Sequence, residues 1–333
     1  MKKLLSTSLI LCLFGCFSPQ SKIEEANENA SAKVATVKWR TVDGIDIEAF
    51  NADLELGKLT VDLGVYFPSN LDTAFKKVTL DRLMYSIEAA KEIYAPTGMQ
   101  INLLWVKTGD IDPRYLSVQA NKTPGIPKTE YANTYQHMQR HPAELTPETE
   151  MAFRTFVEPN PDNHRTIYMT VLQEVFYPFL DVSEGRNWMI KSVRTGGLSF
   201  PPYSYTTSIP KDLRGIITIT NLERPDRLRS TVAHEIGHKV INVSHEYKDI
   251  NPENEVFAEG GLMVYGDGEE IPSGAEGRWH LERLLLSPFL YMLQADGSKK
   301  WNPEFKEGGH YYDPIYGEKV VNFAGTSPIK GDW

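Results

Sequence analysis

The segment 231–245, TVAHEIGHKVINVSH, constrains this chain of 333 residues more than any other part of it. It contains the pattern H-E-x-x-H, formed by His234, Glu235 and His238. Two histidines four residues apart lie on the same face of a helix, where both imidazoles can bind one zinc ion. The glutamate between them is then placed beside a water molecule on the metal. The pattern therefore predicts a helix that carries two zinc ligands and a general base.

A third zinc ligand is expected downstream, because catalytic zinc sites usually have three protein ligands. His245 follows His234 by eleven residues. This arrangement resembles the metzincin zinc peptidases, whose pattern is H-E-x-x-H-x-x-G-x-x-H, although this chain has one residue more and carries Asn242 in place of the glycine. Asparagine tolerates the left-handed backbone conformation better than other non-glycine residues, so we expect Asn242 to end the helix. The resemblance implies that His234, His238 and His245 bind zinc.

Residues 261–266, GLMVYG, provide a second match to the metzincins. They resemble the Met-turn of that family, a tight turn whose methionine packs beneath the metal-binding histidines. The resemblance implies a structural role for Met263. A tyrosine two residues after this methionine binds zinc or stabilises the tetrahedral intermediate in some metzincins. Tyr265 is therefore a candidate catalytic residue beside Glu235.

An alternative third ligand is suggested by residues 254–259, NEVFAE. They resemble the second-helix signature of the gluzincins, in which a glutamate completes the zinc site, so Glu255 or Glu259 would take that role. Only sixteen residues separate His238 from Glu255, which is a short connection for such a pair of helices. The two glycines that follow the segment would also end any helix there. We therefore prefer His245 and keep the two glutamates as alternatives.

The hydrophobic periodicity predicts a chain in which strands and helices alternate. Apolar residues at helical spacing predict helices over 80–94, 225–241 and 279–294, and the second of these carries the zinc motif. Alternating or continuous apolar segments predict strands at 34–40, 45–50, 59–67, 99–106, 166–175, 197–200 and 215–220.

The metzincin resemblance also implies the fold class, which is α/β with a zincin-like α+β arrangement. It implies a twisted mixed sheet, a backing helix, an active-site helix and a smaller irregular C-terminal subdomain that ends in a helix. On this basis one catalytic domain covers 34–333, with an upper subdomain at about 34–245 and a lower one at about 246–333. The proline-rich segment 109–162 is predicted to be a surface insertion. The strand at 197–200 is expected at the edge of the sheet, where an extended peptide can add as a further strand.

The N-terminal residues 1–15 are predicted to be a signal peptide, since two lysines precede an apolar run that is too short to span a bilayer. The run ends in LFGC, which resembles the lipobox of bacterial lipoproteins. In that family the chain is cut before the cysteine, which then receives a diacylglycerol. The resemblance implies a lipid on Cys16, a polar tether over 16–33 and attachment to the bacterial cell envelope, at the outer membrane or cell surface rather than the inner membrane. Cys12 and Cys16 are the only cysteines, so we expect no structural disulfide.

The composition limits the class of partner. A net charge of -9 argues against nucleic acid, because phosphate binding requires a basic surface. The metzincin resemblance implies a membrane-anchored zinc metalloendopeptidase that acts on a protein or peptide, with Glu235 taking a proton from a zinc-bound water. Two other classes remain open, a zinc hydrolase for a non-peptide bond and a non-catalytic lipoprotein that uses the fold for binding. The second is disfavoured because a pure binding protein does not need Glu235.

Overall fold

The fold is taken from a computed structural model. It describes residues 37–72, 74, 77–120, 145–158, 164–181, 189–199, 209–242, 261–264, 268–271, 280–281 and 283–303.

The described residues form two β-sheets with helices packed on them. In chain order the elements are β1 (Arg40–Thr41), α1 (Ile47–Phe50), β2 (Leu59–Pro68), α2 (Leu80–Tyr94), β3 (Met99–Gly109), β4 (Ser117–Gln119), α3 (Pro147–Phe156), β5 (Ile167–Val171), β6 (Glu174–Asp181), β7 (Met189–Thr195), β8 (Gly197–Leu198), β9 (Ile216–Ile219), α4 (Pro225–Leu228), α5 (Thr231–Val240), β10 (Leu290–Leu293) and β11 (Lys299–Trp301). Residues 280–281 and 283–286 are also helical.

The larger sheet has eight strands among the described residues, and its main path runs β1-β3-β2-β5-β9-β8. Strands β3, β2, β5 and β9 are parallel to one another, whereas β1 and β8 pair antiparallel at the two ends of this path. Strand β10 pairs antiparallel with the first residues of β2, and β11 pairs with β10. The smaller sheet has the order β4-β6-β7.

Helix α2 connects the two central strands β2 and β3 and has the predicted bounds. The hydroxyl of Thr79 accepts a hydrogen bond from the N–H of Arg82, which satisfies one of the free donors at the helix start. A short 3-10 turn follows the helix, and Gly98 then adopts a left-handed conformation with a φ of 76°. That conformation suits glycine, which has no Cβ, and it reverses the chain into β3.

Two predicted strands are wrong in ways that local chemistry explains. The segment 45–50 contains helix α1 rather than a strand, because the carboxylate of Asp46 caps the N–H of Ala49. The segment 166–175 contains β5 and the start of β6, which belong to different sheets. The chain leaves β5 at Leu172, whose N–H still bonds to Ile219, and Gln173 then bonds to Leu116 of the other sheet region. The spacing of apolar residues does not indicate which sheet a strand joins.

The prediction of a surface insertion at 109–162 is wrong for the part that the structure describes. Strand β4 and helix α3 lie in this range and contribute buried side chains to the main core, including Leu116, Val118, Phe153 and Phe156. Helix α3 is capped by Thr146 and begins with Pro147 at its first position. Pro113 and Pro147, the two prolines of this segment that the structure describes, therefore mark the starts of helical turns. Residues 121–144 lie outside the described residues.

The helix predicted over 279–294 is shorter than expected. Helical residues end at 286, and Leu290–Leu293 is strand β10, which joins the main sheet. Ser287 and Pro288 explain the change, since proline cannot continue the hydrogen-bond ladder of a helix. Part of the predicted lower subdomain therefore belongs to the main sheet, because residues 290–292 pair with β2.

The fold class is mixed α/β with a twisted mixed sheet, as predicted, and the arrangement is consistent with a zincin-like α+β fold. Within the described ranges, no helix is both long and apolar enough to cross a membrane. Helix α5, which carries the H-E-x-x-H motif, follows β9 and the short helix α4, and it packs on α2. The contact is specific, since the hydroxyl of Tyr94 donates to the carbonyl of Ala233 at 2.8 Å.

Candidate metal centre

The helix that carries the motif is divided into two parts. Pro225 is the first residue of α4, as predicted, but Arg229 and Ser230 separate α4 from α5. The backbone nevertheless stays in the helical region at Ser230, and the N–H of His234 donates to the Ser230 carbonyl at 2.8 Å. The first histidine of the motif is thus fixed at the beginning of the second turn of α5.

The backbone is left-handed at Asn242, directly after the C-terminal cap of α5. This residue has a φ of 59° and is the single non-glycine residue with positive φ in the described part of the chain. The expected left-handed asparagine is therefore confirmed. Asn242 is fully buried, and the carbonyls of Ile241 and Asn242 both accept hydrogen bonds from Arg283.

The imidazole of His234 is oriented by a backbone carbonyl. Its Nδ1 lies 2.6 Å from the carbonyl oxygen of Leu262. A carbonyl can only accept, so Nδ1 carries the proton and Nε2 keeps its lone pair. Desolvation lowers the pKa of His234, and the nearby Arg227 adds to this effect, while the Leu262 carbonyl opposes it. The neutral form is the one that binds a metal ion.

His238 lies beside His234 on the same helix face. The two ring centroids are 4.7 Å apart and the ring planes meet at 86°. His238 is buried, whereas His234 is partly exposed. Two neighbouring imidazoles, one of them locked by a carbonyl on its far nitrogen, form the donor arrangement that zinc sites use.

The carboxylate of Glu235 is buried beside the edge strand β8. A Cβ placed on Gly197 of that strand would lie 2.4 Å from Glu235 Oε1. The other oxygen, Oε2, is shielded from solvent and has no hydrogen-bond partner among the described residues. Burial of a carboxylate oxygen without a hydrogen bond costs free energy. Such an oxygen is typical of a group that receives a ligand or a proton.

Burial raises the pKa of Glu235 to about 8, and the positive charge of Lys239 opposes this shift. Lys239 lies four residues further along α5, and burial lowers its pKa to about 7, with Glu235 opposing. Burial thus favours the uncharged form of both side chains. Groups with such perturbed pKa values concentrate at functional sites.

Met263 packs directly beneath the motif helix. A Cβ placed on Gly237 would lie 2.4 Å from the Met263 sulfur and 3.0 Å from the hydroxyl of Tyr94. Met263 is fully buried, and its neighbour Leu262 supplies the carbonyl that orients His234. The segment 261–264 therefore supports the histidine pair through both a side-chain contact and a backbone hydrogen bond.

The two imidazoles fit a zinc ion in their chemistry and spacing, and His234 also has the required tautomer. The described ranges contain no group of three or more His, Cys, Asp or Glu side chains that could hold a metal, so they supply two ligands and not the third. His245, Glu255 and Glu259, the alternatives for the third ligand, lie outside the described residues. Tyr265 and Cys16 lie outside them as well, and their roles stay predictions.

Sequence analysis missed several residues that shape this site. Leu262 contributes only its carbonyl, and Gly197 contributes only the space that its missing Cβ leaves, so neither has a sequence signal. The contact of Tyr94 with α5 could have been suspected from the apolar stripe of α2, which ends at this residue. Arg283 is buried as well, and its neighbours in the sequence give no sign of the hydrogen bonds that it donates.

Comparison with known proteins identifies no family. No family model matches the sequence, and no curated protein matches it. Among solved structures, the crystal structure of metalloproteinase-II from Bacteroides fragilis aligns with 80% of this chain and 70% of that chain, with a TM-score of 0.36 and 12% identity.

Proposed function

We propose that this protein is a zinc-dependent metalloendopeptidase that hydrolyses peptide bonds in protein or peptide substrates. The observation that carries the proposal is the pair of histidines on one helix, whose ring centroids are 4.7 Å apart. The Leu262 carbonyl orients His234, and the buried carboxylate of Glu235 belongs to the same helix.

In the proposed site, His234 and His238 bind the metal through the nitrogens that remain unprotonated. His245 is the preferred third ligand, with Glu255 or Glu259 as the gluzincin-type alternative. Zinc, when bound, supplies Lewis acidity that polarises a carbonyl group and acidifies water. Met263 supports the histidines from below.

Glu235 is the proposed general base. Its buried position excludes bulk water, which suits a carboxylate that takes up a proton from water and passes it on. The proton would go first from water to Glu235 and then from Glu235 to the leaving amine. Tyr265 is a second proposed catalytic residue, which would donate a hydrogen bond to the developing oxyanion.

An extended substrate is proposed to bind along β8. This strand ends the main path of the sheet and pairs with β9 through Gly197 and Leu198. A peptide added to such an edge gains backbone hydrogen bonds irrespective of its side chains. Because Glu235 abuts Gly197, a bond of that peptide would lie close to the general base.

We also propose that a lipid on Cys16 anchors the protein to the bacterial cell envelope, as the lipobox-like segment suggests. Replacement of Cys16 by serine is expected to move the full-length protein from the membrane fraction to the soluble fraction. It is also expected to stop incorporation of labelled fatty acid, and continued labelling of C16S would contradict the proposal.

The test of the enzymatic proposal separates metal binding from turnover. The variant Glu235→Gln keeps the shape of the side chain and is expected to retain bound zinc while losing about 10²–10⁴-fold in peptide cleavage. His238→Ala is expected to lose zinc as well. Glu223→Gln, an exposed glutamate outside the site, is the matched control and should behave as the unmodified protein.

The outcomes also distinguish the other classes. Full activity of E235Q would contradict the role of Glu235. Bound zinc without cleavage of any peptide library would favour a binding protein or a hydrolase for another bond. A protein that binds no zinc at all would sink the proposal.

A further inference from the structure

We propose that Thr195 limits the binding of extended substrates at the edge of the main sheet. Its hydroxyl donates a hydrogen bond to the carbonyl of Gly197, which is the backbone acceptor that a peptide added to β8 would use. Removal of this hydroxyl should therefore tighten substrate binding. The inference rests on the proposed function and adds a residue to its substrate site.

The pairing of β8 with β9 determines which carbonyls of β8 face the free edge. The strands are antiparallel, with Leu198 opposite Thr218. The N–H of Thr220 donates to the carbonyl of Gly196 at 2.8 Å, so this carbonyl points toward β9. Successive carbonyls of a strand point to opposite sides. The Gly197 carbonyl therefore points away from β9, and the Leu198 carbonyl points back toward it.

Threonine hydroxyls bond to both of these carbonyls. Thr218 of β9 donates to the Leu198 carbonyl at 3.0 Å, which is a bond inside the sheet. Thr195, two residues before Gly197, donates to the Gly197 carbonyl at 2.5 Å. In the described part of the chain, β8 pairs with β9 alone, so this second bond lies at the free edge.

The carbonyl that Thr195 occupies belongs to the residue beside the proposed general base. A Cβ placed on Gly197 would lie 2.4 Å from Glu235 Oε1. A peptide that adds to this edge would donate a backbone N–H to the Gly197 carbonyl. That hydrogen bond would hold the peptide where one of its bonds lies near Glu235.

Thr195 and the peptide thus compete for one acceptor. The hydroxyl is tethered two residues from the Gly197 carbonyl, so its bond forms without bringing two molecules together. A peptide N–H that displaces the hydroxyl gains a hydrogen bond, but the hydroxyl loses one. The net value of a hydrogen bond in water corresponds to about 2–10-fold in an equilibrium constant.

The test uses the full-length protein and a library peptide that the unmodified protein cleaves. Thr195→Val keeps the shape of the side chain and removes the donor. We expect KM to fall by about 2–10-fold while kcat stays the same, because the histidines and Glu235 are unchanged. Thr195→Ser keeps a hydroxyl and should have the KM of the unmodified protein.

Thr218→Val is the matched control. It also removes a hydroxyl from a carbonyl of β8, but that carbonyl faces β9 and is closed to substrate. T218V should lower the melting temperature and leave KM unchanged. The comparison separates competition at the edge from a general loosening of the strand.

Modified peptides identify the N–H that is involved. Methylation of one backbone nitrogen at a time, on either side of the cleaved bond, removes each donor of the peptide in turn. At the nitrogen that donates to Gly197, the methylated peptide should have the same KM with T195V and with the unmodified protein. At the other nitrogens T195V should keep its lower KM.

An unchanged or higher KM in T195V would overturn the inference. A lower KM in T218V would overturn it as well, and so would an advantage of T195V that survives methylation at every nitrogen. These results leave the proposed peptidase standing, because the unmodified protein still cleaves the peptide. Failure of the unmodified protein to cleave any peptide would overturn both.

Discussion

The carboxylate of Glu235 lies against the backbone of Gly197, so closely that a methyl group on Gly197 would come within 2.4 Å of Oε1. The two residues belong to different elements, the motif helix and the edge strand. Their contact means that the proposed general base lies next to β8, the strand along which the substrate is proposed to bind. The absence of a side chain at position 197 is what lets the carboxylate come so close.

Replacement of Gly197 by alanine is therefore expected to displace the Glu235 carboxylate without unfolding the protein, since a side-chain end can move where a backbone cannot. A shift of about 1 Å at a catalytic group can cost about 10²-fold in rate. We expect kcat to fall by that order while zinc content is unchanged. Gly196→Ala is the control, because its Cβ would meet its nearest atoms only at 3.7 Å, and full activity of G197A would contradict the prediction.

Replacement of Gly237 by alanine has two opposing effects on stability, a gain in helix propensity and a loss from overpacking. Alanine gains about 1 kcal/mol over glycine in a helix interior. The new Cβ, however, would meet the Met263 sulfur at 2.4 Å, and overpacking of a core costs about 1–3 kcal/mol. We expect a net destabilisation in chemical denaturation. In the Met263→Ala background the same change should be neutral or stabilising, and equal effects in both backgrounds would show that Met263 is not the obstacle.

The pair Glu235 and Lys239 predicts a minimum in the stability of the metal-free protein near neutral pH. The ordinary pKa of Glu is 4.5 and that of Glu235 is about 8. Between these pH values Glu235 is protonated in the folded state and ionised in the unfolded state, so the free energy of unfolding falls as pH rises. The pKa of Lys239 is about 7 against an ordinary 10.5, so above 7 its effect has the opposite sign. The two effects cancel between about pH 7 and pH 8, and stability recovers toward pH 10.

This pH dependence can be isolated by subtraction. Unfolding free energies of the chelator-treated protein and of the double variant Glu235→Gln/Lys239→Met are measured from pH 5 to pH 10. Their difference should pass through a minimum at pH 7 to 8, with limiting slopes of about 1.4 kcal/mol per pH unit on either side. A flat difference, or one with a maximum near neutrality, would contradict the predicted pKa directions.

A buried ionic contact holds the C-terminal hairpin on the central strand. Asp62 of β2 is buried and accepts hydrogen bonds from Lys299, Tyr291 and Asn102. Lys299→Met leaves this carboxylate without its cation and is expected to destabilise the fold by about 1–3 kcal/mol, below the value for a fully buried pair because Lys299 is one third exposed. Lys300→Met, at the exposed neighbouring position, should change little. Equal denaturation midpoints for K299M and the unmodified protein would contradict this assignment.

The parts of the fold that follow local rules could be predicted from sequence. Helix α2 was predicted with its correct bounds because its apolar stripe, its cap at Thr79 and its glycine terminator all agree. The left-handed Asn242 was predicted because one asparagine stands where a turn was needed. Strand β2 was also predicted, although burial on both of its faces was not, because alternation suggests one buried face.

What could not be predicted depends on partners distant in sequence. The pairing of β10 with β2 turned a predicted helix into a strand, and no local pattern around Tyr291 announces it. In the candidate site, the histidines and Glu235 could be identified from spacing, whereas the contacts of Gly197, Leu262 and Arg283 could not. Gly197 acts through its missing side chain, Leu262 through its carbonyl and Arg283 through its buried guanidinium. Such contacts depend on the folded structure and leave no pattern in the sequence.

The pairing of β10 with β2 also bears on the order in which the molecule folds. Asp62 and Tyr291 are 229 residues apart, so the first residues of the central strand find their partner β10 only after most of the chain is available. Closing so large a loop favours slow folding, and until then residues 59–61 of β2 keep an open edge next to the part that pairs with β5. A chain shortened before residue 290 would keep the entire zinc motif, yet it would leave the sheet beneath that motif unfinished and prone to pair with other chains.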